Sequence, residues 1–391
     1  PTPRVETWNL RLLVLLMGNR ACCFSPCHHG LWVIGARRTR GCTASGSAHA
    51  GADPAFAKPV SIIVDTDCGF DDLMAIACLT QSAPGRLALV TTVHGMSAQP
   101  SISARCVREM LQRITDDASS NIQVESGASE PIVPLHPEHA ISSFRWLDIY
   151  RKGLDDWITA AFGVDLGEIR KTACMETSAK HAASEILRQL RGSEDNSVDL
   201  IALGPLTNIA AVIEAVPVGL LERKLRKVWI MGGSLDHSKG MFGPGQISEL
   251  NFYADPEAAR RVLLSPIASR IHLIGLDVCN EDHPQMAEWC EAVASASERS
   301  LIPSLQRAEK TSCLFDPVAV YAALHQGDGF DFVRQTVQVG RFGELLPARG
   351  ADPDQGGESI LREVAIATSF PNREAYVKWV LQCCQGISGA L

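Results

Sequence analysis

Val60-Ser61-Ile62-Ile63-Val64-Asp65-Thr66-Asp67-Cys68-Gly69-Phe70-Asp71-Asp72 is the stretch that decides the fold. A mostly apolar run ends in four carboxylates packed into eight positions, and a helical pattern, Leu73–Leu79, follows at once. A short apolar run bounded by turn residues reads as a buried strand. The acids therefore stand where the carboxyl end of a strand turns into a helix, the usual place for a ligand in an open α/β sheet. Clustered like charges repel and are costly unless something positive neutralises them. A divalent cation held by oxygen ligands is the simplest answer.

Outward from that stretch, strands and helices alternate. Leu87–Val93, Ile122–Glu125, Val198–Leu203, Lys227–Met231, Arg270–Leu276, Phe332–Val339 and Glu363–Ala367 read as strands. Asp71–Gln81, Ser101–Ile114, Ala179–Leu190, Thr207–Ala215, Pro256–Leu264, Pro284–Ser297, Pro317–His325 and Arg373–Cys383 read as helices. Residues 128–178 read as irregular. Such alternation predicts an α/β fold: a Rossmann-like, open, mostly parallel sheet with helices on both faces. No internal repeat interrupts it.

Composition narrows the class. Hydrophobic residues make up 46% and charged residues 20%, enough for a sizeable core in a globular chain. A net charge of −8, with no basic stripe interleaved with aromatics, argues against a nucleic-acid partner. No apolar run approaches the roughly 20 residues that span a bilayer, so no membrane partner is expected. Residues 1–57 differ from the rest: Arg4, Arg11, Arg20, Arg37, Arg38 and Arg40 stand against only Glu6 and Asp53, ahead of a Ser/Ala/Gly-rich stretch. That composition suits an organellar transit peptide, mitochondrial or plastid, with a secretory signal or an untargeted extension leaving a cytoplasmic protein as alternatives. Residues 58–391 form the expected folded domain. The 13 cysteines, mostly single in apolar segments, read as buried small hydrophobes in a reducing compartment. Cys27-His28-His29 lacks a partner pair at metal-ligand spacing.

Other strand ends carry polar residues that packing does not need. Gly204-Pro205-Leu206-Thr207-Asn208 follows one strand, Gly232-Gly233 another, and a glycine-rich loop then leads to Glu249-Leu250-Asn251. Asp316 opens a helix after Phe315. Each has a plainer reading. Asp71 and Asp72 would favour a helix N-terminus, but that accounts for two acids rather than four. Asp316-Pro317 and Asp255-Pro256 both have the form of an N-cap followed by proline, and for Asp255 that reading suffices. Glu249 and Asn251 alternate like residues on one face of an extended segment. An EF-hand loop from Asp65 would need an acid at Ile76, and Gly232-Gly233 lacks the ending of a phosphate-cradling loop.

Taken together these motifs are familiar. Asp65-Thr66-Asp67-Cys68-Gly69-Phe70-Asp71-Asp72 resembles the Asp-x-Asp-Pro-Gly-x-Asp-Asp signature of the inosine/uridine-preferring nucleoside hydrolases. Val90–Gly95, Gly204–Ala210, Val228–Gly233, Glu249–Ala259 and Phe315-Asp316-Pro317 match in family order over about residues 58–385. The resemblance implies hydrolysis of the N-glycosidic bond of ribonucleosides, a bound Ca²⁺, a nucleoside hydrolase fold and a homodimer or homotetramer. It implies that Asp67, Asp72 and Asp316 bind Ca²⁺ by side chain and Thr207 by its carbonyl, with Asp67 also the general base. Asp71, Glu249 and Asn251 would hold the ribose, and Met231 would line the sugar pocket.

The departures set the substrate expectation. Cys68 stands where the family has proline. Met96 stands where the family has one asparagine that contacts ribose; the second such position falls at Met241 or is displaced to near Gly243. Phe315 replaces a histidine, the family's candidate acid for the leaving base. Purine-specific members have an aromatic there and sandwich the base between rings, so Phe315, with Trp146 or Phe144, points to purine nucleosides. A chain that binds nucleoside or ribose without turnover is the alternative raised by Met96 and Met241.

Overall fold

The computed structural model describes residues 60–391 except 98, 116–121, 138, 142–146, 149–150, 153, 156–157, 160–162, 173–176, 217–218, 280–313, 348–361 and 391. The expected leader, the helix expected at Pro284–Ser297, Phe144 and Trp146 lie outside the described residues.

The apolar run of the deciding stretch forms β1 (Ser61–Thr66), followed after a three-residue turn by α1 (Phe70–Ser82). In chain order come β2 (Leu87–Thr92), α2 (Pro100–Ile114), β3 (Gln123–Ser126), α3 (Leu166–Thr172), α4 (Ala179–Gly192), β4 (Val198–Ala202) and α5 (Thr207–Ala215). The second half holds α6 (Leu220–Lys224), β5 (Leu225–Met231), α7 (Leu250–Ala254), α8 (Pro256–Leu263), β6 (Ile271–Ile274) and α9 (Leu276–Cys279). It closes with α10 (Phe315–Leu324), β7 (Asp331–Val339), β8 (Leu345–Pro347), β9 (Glu363–Ser369) and α11 (Arg373–Ala390).

The strands form one sheet in the order β3-β2-β1-β4-β5-β6-β9-β7-β8. From β3 to β9 every pairing is parallel; β7 runs antiparallel to both β9 and β8. Two apolar clusters, one on each face, bury the sheet. One joins α1, α2, α10 and α11 through residues such as Leu73, Met110, Val320 and Leu381; the other joins α4, α5 and α8 through Ile186, Ile209 and Val262. Burial on both faces explains why these strands read as apolar runs without alternation. Strand order reverses at β1, whose neighbours are β2 and β4. A crevice opens at such a reversal, beyond the carboxyl ends of the strands. That is where the four acids of the opening stretch emerge.

The segment read as extended at Glu249–Asn251 is a correction. Glu249 is the N-cap of α7, its side chain accepting from the N–H groups of Asn251 and Phe252. A carboxylate that satisfies the free N–H groups of a first turn favours helix over strand. Both residues are buried, so they are not a solvated face.

Candidate active site

The turn after β1 is built from its own side chains. Thr66 Oγ1 accepts from the Cys68 N–H at 3.0 Å and donates to Asp72 Oδ1. Asp72 Oδ2 accepts from the Gly69 N–H at 3.0 Å. Asp72 thus does cap α1, but with the strand's last residue clamped to the same carboxylate. Cys68 adopts φ 62°, a value that proline cannot reach. The substitution at this position therefore accompanies a turn of different backbone shape.

Asp67 is reached from β2. The Met96 N–H donates to Asp67 Oδ2 at 2.8 Å, and Gly95 sits so close that a Cβ there would lie 2.1 Å from the same oxygen. With φ +144° as well, only glycine fits position 95. Arg151 locks this loop: its Nε donates to the Met96 carbonyl at 2.8 Å and an Nη to the Gly95 carbonyl at 3.3 Å. The backbone service of residue 96 is thus independent of its methionine side chain.

Asp71, Asp72 and Asp316 offer carboxylate oxygens that all lie within 4.8 Å of one another. Asp316 is inside the first turn of α10, whose N-cap is Leu314, so the N-cap reading of Asp316 does not hold. Its carboxyl is pushed well above the ordinary range, first by burial and then by the charges of Asp71 and Asp72. Asp67 is raised likewise, by burial and then by the charge of Asp72. Asp71 rises to about 7 for the same two reasons, although the Phe315 N–H donates to its Oδ2 at 3.2 Å. Among the described residues no Lys or Arg forms an ion pair with any of these acids. An all-oxygen set with repelling charges and no cationic partner fits a hard divalent ion such as Ca²⁺.

Thr207 begins α5 beside this group. Asp255 Oδ2 accepts from Thr207 Oγ1 at 2.7 Å and from the Ile132 N–H at 2.9 Å, while Oδ1 caps α8 through the Ala258 N–H at 3.0 Å. Asp255 is therefore more than a cap. Because the Thr207 hydroxyl donates to the carboxylate, its oxygen accepts from His94 Nε2 at 2.8 Å. Burial holds His94 down at about 4, so it is neutral at pH 7. This His94–Thr207–Asp255 chain fixes the residue whose carbonyl is the expected fourth metal contact.

Asp65 links the strand ends. Its Oδ1 accepts from Thr91 Oγ1 at 2.5 Å and from Asn208 Nδ2 at 2.8 Å, while Oδ2 is buried without a hydrogen-bond partner. Burial raises Asp65 to about 7. On the far side, Glu249 is fully engaged by the backbone N–H groups of Gly233, Asn251 and Phe252 and rises to about 7 through burial. Asn251 Nδ2 donates to the carbonyls of Leu203 at 2.7 Å and Met231 at 3.2 Å, with Met231 Sδ 3.4 Å away. The structure thus joins Met231, Glu249 and Asn251 in one network, and Asp67, Asp71, Asp72 and Asp316 in another. Phe315 is half-buried next to Asp316, and Met241 is exposed.

The sequence assigns no part in the site to His94, Thr91, Asn208 or Arg151, and to Asp255 only that of an N-cap. His94 carried a signal, as an imidazole between a strand and a glycine. Arg151, from a segment without periodicity, carried none.

The chain matches the family model described as "Inosine-uridine preferring nucleoside hydrolase" over residues 62–375. It is 29% identical over 250 residues to a non-specific ribonucleoside hydrolase, RihC, of Klebsiella pneumoniae strain 342, covering 64% of this chain and 68% of that one. It is 28% identical over 220 residues to a pyrimidine-specific ribonucleoside hydrolase, RihB, of Escherichia coli strain SE11, covering 56% and 60%. Among solved structures, an inosine-guanosine nucleoside hydrolase superposes with a TM-score of 0.64 at 23% identity, covering 83% of this chain and 98% of that one. An inosine-uridine preferring nucleoside hydrolase from Bacillus anthracis superposes with a TM-score of 0.61 at 17% identity, covering 83% and 99%. These two share the α/β fold. With the family match spanning most of its length and the acids gathered where the strand order reverses, the chain belongs to the inosine-uridine preferring nucleoside hydrolase family.

Proposed function

We propose that this chain hydrolyses the N-glycosidic bond of ribonucleosides, purine nucleosides foremost, with Ca²⁺ as its metal. The observation that carries the reading is the acid group at the strand-order reversal: Asp71, Asp72 and Asp316 lie within 4.8 Å of one another, buried Asp67 stands beside them, and no Lys or Arg among the described residues forms an ion pair with any of the four. Asp67, Asp72, Asp316 and the Thr207 carbonyl would hold the ion, with Asp71 close enough to share it. When bound there, Ca²⁺ would lower the pKa of a water and offer oxygen coordination to the sugar hydroxyls.

The remaining work falls to side chains. Asp67 takes the proton from the attacking water; burial, then the neighbouring charge of Asp72, raises its basicity. The Met96 N–H keeps Asp67 Oδ2 in place, leaving Oδ1 to face the water. Asp71 binds a ribose hydroxyl, and the carboxylates together stabilise the oxocarbenium-like positive charge that develops on the sugar. Asn251, its Nδ2 committed to the Leu203 carbonyl, and Glu249, its carboxylate held by backbone N–H groups, turn their remaining oxygen lone pairs to the sugar beside Met231. Phe315 stacks against the base and lets a purine leave without a dedicated side-chain acid.

The second reading, nucleoside or ribose binding without turnover, is favoured by Met96 and Met241. Ribose release from inosine, guanosine, adenosine, uridine and cytidine, with and without EGTA, decides between them. The expected result is EGTA-sensitive release, fastest for purines, with Phe315→Ala costing purines more than pyrimidines. Nucleoside-dependent thermal stabilisation without release from any of the five would establish the second reading. The same proposal includes a homodimer or homotetramer, testable by light scattering. It also includes organellar import by residues 1–57 of a catalytic domain at 58–391, testable with a reporter fusion.

A further inference from the structure

The amino-terminal edge of the same sheet holds a second cavity of about 580 Å³, lined by Glu222, Arg226, Lys227, Arg270, His272 and Arg334. It lies at the opposite end of β5 from the acids: Lys227 to Met231 is roughly 13 Å along a strand. One of its cations is already compensated. Arg226 grips Asp199 through both oxygens, with Nε to Oδ1 at 2.9 Å, and Gln326 Nε2 adds a bond to Oδ2 at 3.2 Å. Asp199 is buried, so this pair is part of the framework.

The other three cations form no ion pair among the described residues. Lys227 Nζ donates to the Gln326 carbonyl at 3.1 Å and stands 4.9 Å over the Trp229 ring. Arg270 donates to Asn196 Oδ1 and the Arg226 carbonyl, both at 3.2 Å, and to the Glu222 carbonyl. Arg334 is exposed and donates to the Ser269 carbonyl at 3.2 Å. With Arg226 and Asp199 cancelling, Lys227, Arg270 and Arg334 stand with one carboxylate, Glu222, among the described lining residues: three charges against one. Burial lowers the Lys227 ammonium, and Arg226 and Arg334 lower it further against the opposing pull of Asp199. In a chain of net charge −8 this excess is local.

We propose that this cavity binds a phosphate monoester, held by Lys227, Arg270 and Arg334. Two surplus positive charges match a dianion, and guanidinium forks suit phosphate oxygens in bidentate geometry. A volume of about 580 Å³ is more than a bare phosphate fills and leaves room for an attached sugar. The site is independent of the hydrolase reading, because it shares no residue with the acid cluster.

Calorimetric titration of the full chain at fixed ionic strength tests it, with ribose 5-phosphate, orthophosphate and unphosphorylated ribose as ligands. Saturable 1:1 binding of ribose 5-phosphate is expected, retained in Asp67→Ala. Affinity should fall by about tenfold or more in Arg334→Gln, a change on an exposed strand position, and in Lys227→Gln, the scale of one charge-assisted hydrogen bond. Melting curves of both variants verify folding. Absence of saturation with every phosphate overturns the proposal, as does wild-type affinity in both variants or loss of binding in Asp67→Ala. Orthophosphate binding as tightly as ribose 5-phosphate overturns the monoester assignment in favour of free phosphate. A change in oligomer mass in Arg334→Gln, without any phosphate effect, assigns the surface to contact between copies instead.

Discussion

Asp199, near the start of β4, and Asp316, in the first turn of α10 beyond the carboxyl ends of the strands, are both buried acids. Asp199 meets Arg226 and Gln326 at the amino edge. Among the described residues Asp316 forms no ion pair at the carboxyl edge, and burial, then the charges of Asp71 and Asp72, raise it. The chain therefore has the means to neutralise a buried acid and does not use them where the strand order reverses. The comparison teaches that unpaired buried charge, rather than buried charge as such, marks the place reserved for a ligand. The amino edge repeats the point with the sign inverted, where Arg226 is paired and Lys227, Arg270 and Arg334 are not.

The largest expected effect is on the unpaired side. Asp67→Ala should lower kcat by about 10³-fold or more, the scale of a positioned general base, while leaving the melting temperature unchanged or raised. Activity within tenfold of wild type would remove Asp67 from its role.

Asp199→Ala and Asp316→Asn then separate the two kinds of acid. Removing Asp199 strands Arg226, and a broken buried pair costs about 3–5 kcal/mol. Denaturant unfolding should show a loss toward the lower end of that range, since Arg226 retains 25% side-chain exposure. Asp316→Asn removes repulsion and should leave the metal-free protein at least as stable as wild type while weakening Ca²⁺-dependent stabilisation. If both variants lose stability equally, the distinction between paired and unpaired acids fails.

How far the sequence displays this contrast depends on the range of the interactions. The strands and the Asp65–Asp72 cluster are legible because they are local: an apolar run, then acids within a turn. Asp316 and Thr207 are legible only through motif resemblance, since nothing near them in sequence identifies a partner in β1. Asp255 reads as a cap because its Oδ1 is one; its Oδ2 bond to Thr207 spans 48 positions and leaves no local pattern. Glu249 misleads for the opposite reason. Its spacing from Asn251 mimics a strand, while its carboxylate nucleates a helix too short to show periodicity. Arg151 donates to the backbone carbonyls of Gly95 and Met96, which carry no residue-type signal on the partner side.

A smaller effect is expected behind the acids. His94→Ala leaves the Thr207 hydroxyl held from one side only and should weaken Ca²⁺ by about tenfold, as losses of supporting contacts behind metal ligands do. Terbium luminescence measures this without turnover, and an unchanged affinity would confine His94 to packing.

The smallest effect is a slope. Asp65, Asp71 and Glu249 all rise to about 7 in the folded chain. Between about pH 4 and 7 the metal-free native state therefore binds more protons than the unfolded state, and stability falls as pH rises through that window. Melting temperatures in EGTA should decline from pH 5 to 7.5, and Ca²⁺ should flatten the decline. A rise with pH would contradict the raised values.

The central claim is that the unpaired acids hold a cation that the reaction needs. Stepwise addition of Ca²⁺ to chelated protein, with ribose release from inosine recorded at each step, tests it most directly. The account predicts saturable return of activity at one Ca²⁺ per chain, weakened in Asp316→Asn. Full activity in EGTA, or none at any Ca²⁺ concentration, would contradict it.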